Sequence, residues 1–167
     1  MFEPLTDEMN ALAAELFALA AEQELTFITA ESCTSGLLAA TLSEAPGAGE
    51  RLHGGFVTYT KENKAAVLGV PMALLNAKGA VCPEVAIAMA EGALARSPAQ
   101  VAVAITGVAG PSKDEDGNPV GLVCLAVARE GYRTSVLEQN YGDIGRDCVR
   151  SRAIADALSQ LMKIVRQ

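Results

Sequence analysis

Phe27-Ile28-Thr29-Ala30-Glu31-Ser32-Cys33-Thr34-Ser35-Gly36 leaves an apolar, β-like run and turns directly into a helical pattern. A strand that passes through a small polar turn into a helix is the repeating unit of an open α/β sheet. In such sheets ligands bind beyond the carboxyl ends of the strands, where N–H groups of the next helix point outward and favour negative charge. Ser32 therefore stands at an active-site address. Two further strands end in the same way. Gly55-Phe56-Val57-Thr58-Tyr59-Thr60 runs into Lys61 and Lys64, and Val101-Ala102-Val103-Ala104-Ile105 runs into Thr106-Gly107. Together they deliver Ser32, Tyr59 with Lys64, and Thr106 toward one edge of a sheet.

The rest of the chain supplies the layers around these strands. Leu5, Met9, Leu12, Leu16 and Leu19 alternate spacings of four and three, which lays one apolar stripe along a helix ending near Gln23. Residues 26–30 read as a buried strand and 34–42 as a helix entered through residues suited to capping, after which Pro46-Gly47-Ala48-Gly49 closes the unit. A helix over 62–68 follows the second strand, Pro71 opens a short helix that Gly79 stops, and 83–95 forms an alanine-rich helix. The uncharged, β-branched segment 101–106 predicts a central strand covered on both faces. Residues 107–119 are polar and rich in turn formers, a loop long enough to be functional. Residues 120–128 and 132–141, separated by Arg129-Glu130-Gly131, predict an antiparallel hairpin. The last helix, over 144–165, buries Val149, Ile154, Leu158, Leu161 and Val165. With no internal repeat or linker, the pattern predicts one three-layer α/β/α domain over residues 1–167, with a mixed, mainly parallel sheet.

A chain of 167 residues, half of them hydrophobic, is long enough for one well-buried domain. Its net charge of −7 and pI near 4.7 oppose a nucleic-acid partner, because duplex binding is dominated by basic contacts to phosphate. Cys33, Cys82, Cys124 and Cys148 are widely spaced, and His53 is the only imidazole. That pattern supports neither zinc nor a disulfide framework, and predicts buried free thiols in a reducing compartment. The segment from Met1 to Glu8 begins with acidic residues and lacks the basic and apolar regions of a signal peptide. No apolar run approaches the roughly 18 to 20 residues needed to span a bilayer. A soluble, cytoplasmic protein is expected.

The hydroxyl of Ser32 could serve as a helix N-cap or as a nucleophile. A nucleophilic serine needs a base, and lysine is one when burial lowers its pKa. Lys64 is available for that role, and Lys61, one helical turn earlier, is equally eligible by spacing. His53, in Leu52-His53-Gly54-Gly55, precedes a strand instead of following one, which disfavours a Ser–His–Asp triad. Tyr59 either completes the sheet rim or offers its hydroxyl and ring to a substrate. Thr106-Gly107-Val108-Ala109-Gly110-Pro111 places a hydroxyl and two glycines where backbone N–H groups approach an anion closely. The segment matches neither a Walker loop nor a G-x-G-x-x-G fingerprint. Arg146 follows Gly142-Asp143-Ile144-Gly145 at the start of the last helix, where a cation opposes the macrodipole. A bound anion would resolve that conflict, as would pairing with Asp143 or Asp147. Arg150 and Arg152 follow on the same helix, and guanidinium suits phosphate through its bidentate fork.

These residues together resemble the CinA C-terminal-domain family, whose single-domain members are nicotinamide-nucleotide amidohydrolases. The resemblance runs through 30–36, 55–59 with Lys64, Gly79-Ala80-Val81, 105–111, Pro119-Val120-Gly121, and Gly142-Asp143 with Arg146. It implies hydrolysis of the carboxamide of nicotinamide mononucleotide to nicotinic acid mononucleotide and ammonia, in pyridine-nucleotide recycling, without metal or other cofactor. It also implies a homodimer or higher homo-oligomer. By position, Ser32 resembles the family's nucleophile and Lys64 its activating base. Tyr59, Thr106 and Arg146, with Gly107 and Gly110, resemble the residues that hold substrate. The chain departs from the family pattern at Ser35, where a glycine is usual, at Cys82, where serine is common, and at Asn118, where lysine is frequent. Two rival functions share the pocket: a non-catalytic binding module linked to competence or DNA damage, and a general amidase that does not need the phosphate.

Overall fold

The computed structural model describes residues 7–167. Within them α1 (Asp7–Glu22) precedes β1 (Phe27–Glu31), α2 (Leu37–Ser43), the single-turn α3 (Ala48–Arg51) and β2 (Leu52–Val57). Three helices, α4 (Lys61–Leu68), α5 (Met72–Lys78) and α6 (Pro83–Ala95), lead to β3 (Val101–Gly107). β4 (Leu122–Arg129) and β5 (Ser135–Asn140) form a hairpin, and α7 (Arg146–Val165) is the last element.

The strands lie in the order β2-β1-β3-β4-β5. β1 pairs parallel with both β2 and β3, whereas β3–β4 and β4–β5 are antiparallel. Four strands therefore point the same way and β4 alone is reversed, which gives the mixed sheet of an α/β/α domain. Side chains alternate between the two faces with the period of the pleat. Phe27, Val101, Val103, Ile105, Val123, Leu125 and Val127 face α1, α2 and α7, where Phe17 packs on Phe27 at 5.6 Å between ring centroids. Ile28, Ala30, Ala102, Ala104, Cys124, Ala126 and Ala128 face α6 and the ends of α4 and α5. The second face is lined by alanine, so α6, itself alanine-rich, lies close against it. Its Gly92 meets α4 so tightly that an added Cβ would stand 2.0 Å from the Leu68 carbonyl oxygen.

This arrangement fixes where a site can form. The helix after β1 covers one face and the helix after β2 covers the other, so the carboxyl ends of these neighbouring strands open into a crevice. β3 ends beside them. A second crossing closes the far side: Gly121, at φ +91°, lies so near Gly142 that an added Cβ would be 2.3 Å from the Gly142 oxygen. Tyr141 N donates to Gly121 O at 2.9 Å in the same contact, which carries the start of α7 toward the loop after β3.

Several boundaries differ from those read in the sequence. β2 occupies Leu52–Val57, because Thr60 leaves the sheet to cap α4, accepting from Asn63 N at 3.1 Å. The register against β1 jumps from Leu52 to Gly54, so His53 sits at a bulge on the edge strand, exposed. α2 begins at Leu37 and α7 at Arg146, each later than expected, and β5 begins at Ser135 after a longer turn. α3 occupies residues expected to close a loop. Glu3 and Leu5 lie outside the described residues, as does most of the segment on which the expectation of a missing signal peptide rests. Of the four free cysteines, Cys33 and Cys124 are buried as expected, whereas Cys82 is half-buried and Cys148 exposed. Among the described residues no helix is long and apolar enough to cross a membrane.

Candidate active site

The turn after β1 is organised by Glu31. Its carboxylate is wholly buried and accepts from the N–H groups of Gly36 at 3.0 Å, Leu38 at 3.1 Å and Ala39 at 2.9 Å. An acid at the end of the strand thus satisfies the first N–H groups of α2, the function ordinarily filled by a polar cap. The N-cap position itself is Gly36, so Ser32 is not the cap of this helix. Glu31 was not singled out from the sequence. The available signal was a charged residue closing an otherwise apolar strand immediately before a turn.

Ser32 is 7% exposed, and its hydroxyl lies 2.8 Å from Lys64 Nζ. Lys64 is entirely buried on α4, and its Nζ also donates to the carbonyl oxygens of Thr58 at 3.0 Å and Tyr59 at 3.3 Å. Burial pushes its pKa down to about 8, against a small opposing effect of Cys33. A neutral amine has two hydrogens and one lone pair. With the two carbonyls taking the hydrogens, the lone pair is left for the Ser32 hydroxyl proton. Of the two lysines left open in the sequence, Lys64 is the one whose amine meets Ser32. Lys61 Nζ lies 2.6 Å from Asp116 and 3.3 Å from Glu115, and the Asp116 hydrogen bond holds its pKa above the ordinary value. His53 is not among the residues lining the cavity. The neighbouring Cys33 thiol is pushed up to about 11, chiefly by burial, so it stays protonated near neutrality.

Arg146 is the first residue of α7. Its Nη1 donates to Gly110 O at 2.7 Å and its Nη2 to the Tyr59 hydroxyl at 3.1 Å. Both acceptors are neutral, so these contacts aim the guanidinium without cancelling its charge. Tyr59, 57% exposed, joins the two halves of the site: its carbonyl meets Lys64 and its hydroxyl meets Arg146. The cation therefore stands one tyrosine length from the serine–lysine pair. Arg150, considered with Arg146 as a phosphate ligand, instead donates from Nε to Cys33 O at 2.8 Å. Arg152 is exposed and lines a separate depression with Tyr141 and Asp156.

Thr106 Oγ1 donates to Ala80 O at 2.8 Å, so this hydroxyl holds a wall of the cavity. The same Ala80 residue is held on its other side, its N–H donating to Asp116 Oδ2 at 3.0 Å. Gly79 accommodates that carboxylate, which would lie 2.7 Å from an added Cβ. The long loop after β3 is braced internally by Asp114, whose carboxylate accepts from the N–H groups of Asp116 and Asn118 and from the Asn118 side-chain amide. Gly107 and Gly110 line the cavity with the rest of that segment.

The cavity measures about 450 Å³ and is lined by Ser32, Cys33, Tyr59, Lys61, Lys64, Thr106, Gly110 and Arg146, among others. It falls within the roughly 300 to 1,000 Å³ typical of small-molecule sites. Cys33 lines the cavity beside Ser32, its N–H against its own thiol, whereas Thr34 is wholly buried behind it. A hydroxyl with a depressed-pKa amine beside it and a cation one side-chain length away can perform acyl transfer on a substrate that carries an anion. Among the described residues, no group of three or more His, Cys, Asp or Glu side chains is placed to hold a metal ion.

Comparison with known proteins agrees with this fold. The family model described as the CinA C-terminal domain matches residues 9–165. A CinA-like protein of Mycolicibacterium paratuberculosis is 46% identical over 145 residues, which is 82% of this chain and 32% of the relative. The chain spans about a third of the length of the curated relatives it matches, 36% and 32% for the first two. Among solved structures, a competence/damage inducible protein from Agrobacterium tumefaciens matches with a TM-score of 0.93 at 40% identity over 98% of both chains. A competence-damaged protein (CinA) superfamily protein from Escherichia coli matches with a TM-score of 0.89 at 34% identity, over 98% of this chain and 95% of that one.

Proposed function

This chain belongs to the CinA C-terminal domain family, and from that premise we propose that it is an amidohydrolase converting nicotinamide mononucleotide to nicotinic acid mononucleotide and ammonia. The observation that carries the proposal is the 2.8 Å contact between Ser32 Oγ and a buried Lys64 whose two other neighbours are carbonyl oxygens. Neutral Lys64 accepts the Ser32 proton as Oγ attacks the carboxamide carbon. Protonated Lys64 then returns its proton to the amide nitrogen, the C–N bond breaks, and ammonia leaves an ester on Ser32. A water molecule, deprotonated by the same amine, hydrolyses the ester and restores the serine. Arg146, with Tyr59, holds the phosphate at the opening of α7, where the helix terminus also favours an anion.

The family resemblance suggests the substrate, and the presence of Arg146 and Ser32 in one cavity supports a place for its phosphate. A homo-oligomer is part of the same proposal, and light scattering of the purified protein tests it. For the substrate, ammonia release from nicotinamide mononucleotide is compared with release from nicotinamide itself. The proposal expects turnover of the nucleotide, and an Arg146→Ala variant with a raised KM for the nucleotide alone. Equal use of both amides, unaffected by Arg146→Ala, would replace it with a general amidase.

A further inference from the structure

Three basic side chains line the cavity, and their surroundings differ. Lys64 is buried and turned to Ser32 and two carbonyl oxygens, and burial lowers its pKa toward the neutral form that acts as base. Arg146 donates to neutral acceptors, Gly110 O at 2.7 Å and the Tyr59 hydroxyl at 3.1 Å. Lys61 meets carboxylates instead, Asp116 Oδ1 at 2.6 Å and Glu115 Oε1 at 3.3 Å. Ion pairs at a surface are ordinarily loose and worth little. This one is fixed from a second direction. Asp116 Oδ2 accepts from Ala80 N at 3.0 Å, and Gly79, at φ +81°, leaves room for the carboxylate, which would stand 2.7 Å from an added Cβ. The side chains of Lys61 and Asp116 are accordingly only 16% and 24% exposed. Lys61 holds its proton more firmly than an ordinary lysine, chiefly through the Asp116 hydrogen bond. The acyl transfer gives neither residue a part, so the chemistry does not account for a neutralised cation inside the cavity.

Resting on the amidohydrolase reading, we propose that Asp116, with Glu115, determines how the substrate is oriented: it occupies Lys61, so that the phosphate goes to Arg146 and the carboxamide comes to Ser32. A phosphate monoester pairs with any accessible cation. Lys61 without its carboxylates would be a second anchor in the same cavity, and a nucleotide held there would be turned and present a different part to Ser32. Specificity of this kind is a difference between competing modes, made as much by removing the wrong partner as by supplying the right one. The loop after β3 does both. Its Gly110 carbonyl aims Arg146, and its Asp116 carboxylate occupies Lys61. Asp114 of the same loop is not available for this, because its carboxylate accepts from Asp116 N and from Asn118.

The test combines Glu115→Gln with Asp116→Asn, changes that remove both charges and leave an amide oxygen for Ala80 N, and then adds Lys61→Met. Each protein is titrated calorimetrically with inorganic phosphate, with and without Arg146→Ala, and assayed for ammonia release from nicotinamide mononucleotide. Titration at pH 9 keeps Lys64 mostly neutral and Lys61 charged. With Glu115 and Asp116 in place, Arg146→Ala should weaken phosphate binding by about tenfold or more. With both neutralised, the same change should weaken it only about twofold, because Lys61 takes the anion, and adding Lys61→Met should restore the dependence on Arg146. Turnover reads the orientation. A wrongly oriented complex withdraws enzyme without harming the productive form, so the neutralised protein should lose about 3- to 10-fold in kcat and the same factor in KM, with kcat/KM unchanged. Lys61→Met should then recover kcat. A merely structural Asp116 would instead lower kcat/KM and Tm together, unrepaired by Lys61→Met, and that result overturns the inference. So does phosphate binding that is absent from the unsubstituted protein, or that depends on Arg146 equally whether or not the carboxylates are present. Phosphate titrations as expected, without turnover of the nucleotide, would uphold the roles of Lys61 and Asp116 and count against the amide substrate alone.

Discussion

The burial of Lys64 makes the pH dependence of turnover the sharpest quantitative consequence of this site. With its pKa pushed down to about 8, the amine is about one-eleventh neutral at pH 7, half neutral at pH 8 and ten-elevenths neutral at pH 9. If neutral Lys64 is the base, kcat/KM should rise about tenfold between pH 7 and pH 9, with unit slope below the midpoint and a plateau above it. A lysine at its ordinary pKa of 10.5 would give a different curve, climbing about tenfold per pH unit without a break below pH 10. The assay is initial-rate ammonia release from nicotinamide mononucleotide between pH 6 and pH 10. A pH-independent rate, or a break only above pH 10, would refute the assignment. The same shift has a stability consequence. Between the folded and unfolded pKa values the unfolded chain binds the extra proton, so this group adds stability as pH rises from about 8 toward 10.5, up to about 3 kcal/mol. Cys33 and Cys124, pushed up to about 11 and 12, work in the opposite direction once unfolded thiols ionise. The contribution of Lys64 is therefore read as the difference in pH dependence between the unsubstituted protein and Lys64→Met, by guanidinium unfolding. An identical pH dependence in the two proteins would contradict a depressed pKa.

Lys61→Met should leave the break near pH 8 where it is, because Lys61 pairs with Asp116 and Glu115 away from Ser32; a displaced break would mean that the two lysines share the titration. Glu31→Gln keeps the shape of the side chain but replaces a charged acceptor of three N–H groups, and should cost about 1–3 kcal/mol. In a domain of this size that is a fall in Tm of roughly 2–12 °C, and an unchanged melting curve would show that the carboxylate is not needed to cap α2. Gly92→Ala would place a methyl group against the Leu68 carbonyl, and should destabilise the fold by about 1–3 kcal/mol, as overpacking does. A variant of wild-type stability would show that α4 and α6 yield at this contact.

The parts of this molecule that were legible in sequence are those with a strong period or a strong local chemistry. β3 is uncharged, β1 is apolar up to its closing Glu31, both are buried on both faces, and α6 and α7 carry helical patterns, so their existence and order could be read directly. Turn chemistry was less transparent. Ser32 reads equally as a helix cap until Glu31 is seen to cap α2, a bond that depends on the strand ending where the helix axis passes. Lys61 and Lys64 share a helix and differ by less than one turn, and only the packing of α4 against α6 and α5 decides which amine enters the core. The placement of Arg150 behind Cys33 joins residues 117 apart in the chain, and no local pattern encodes it. Thr106 lines the cavity at the end of β3, yet its hydroxyl is turned to Ala80, a contact fixed by how the strip after α5 lies across the end of that strand.

The most direct test of the central claim is conversion of nicotinamide mononucleotide by the purified protein and by Ser32→Ala, following ammonia together with the change from amide to acid by mass spectrometry. The account predicts conversion by the unsubstituted protein and almost none by Ser32→Ala, with fold and nucleotide binding retained. Undiminished ammonia release from Ser32→Ala would contradict it.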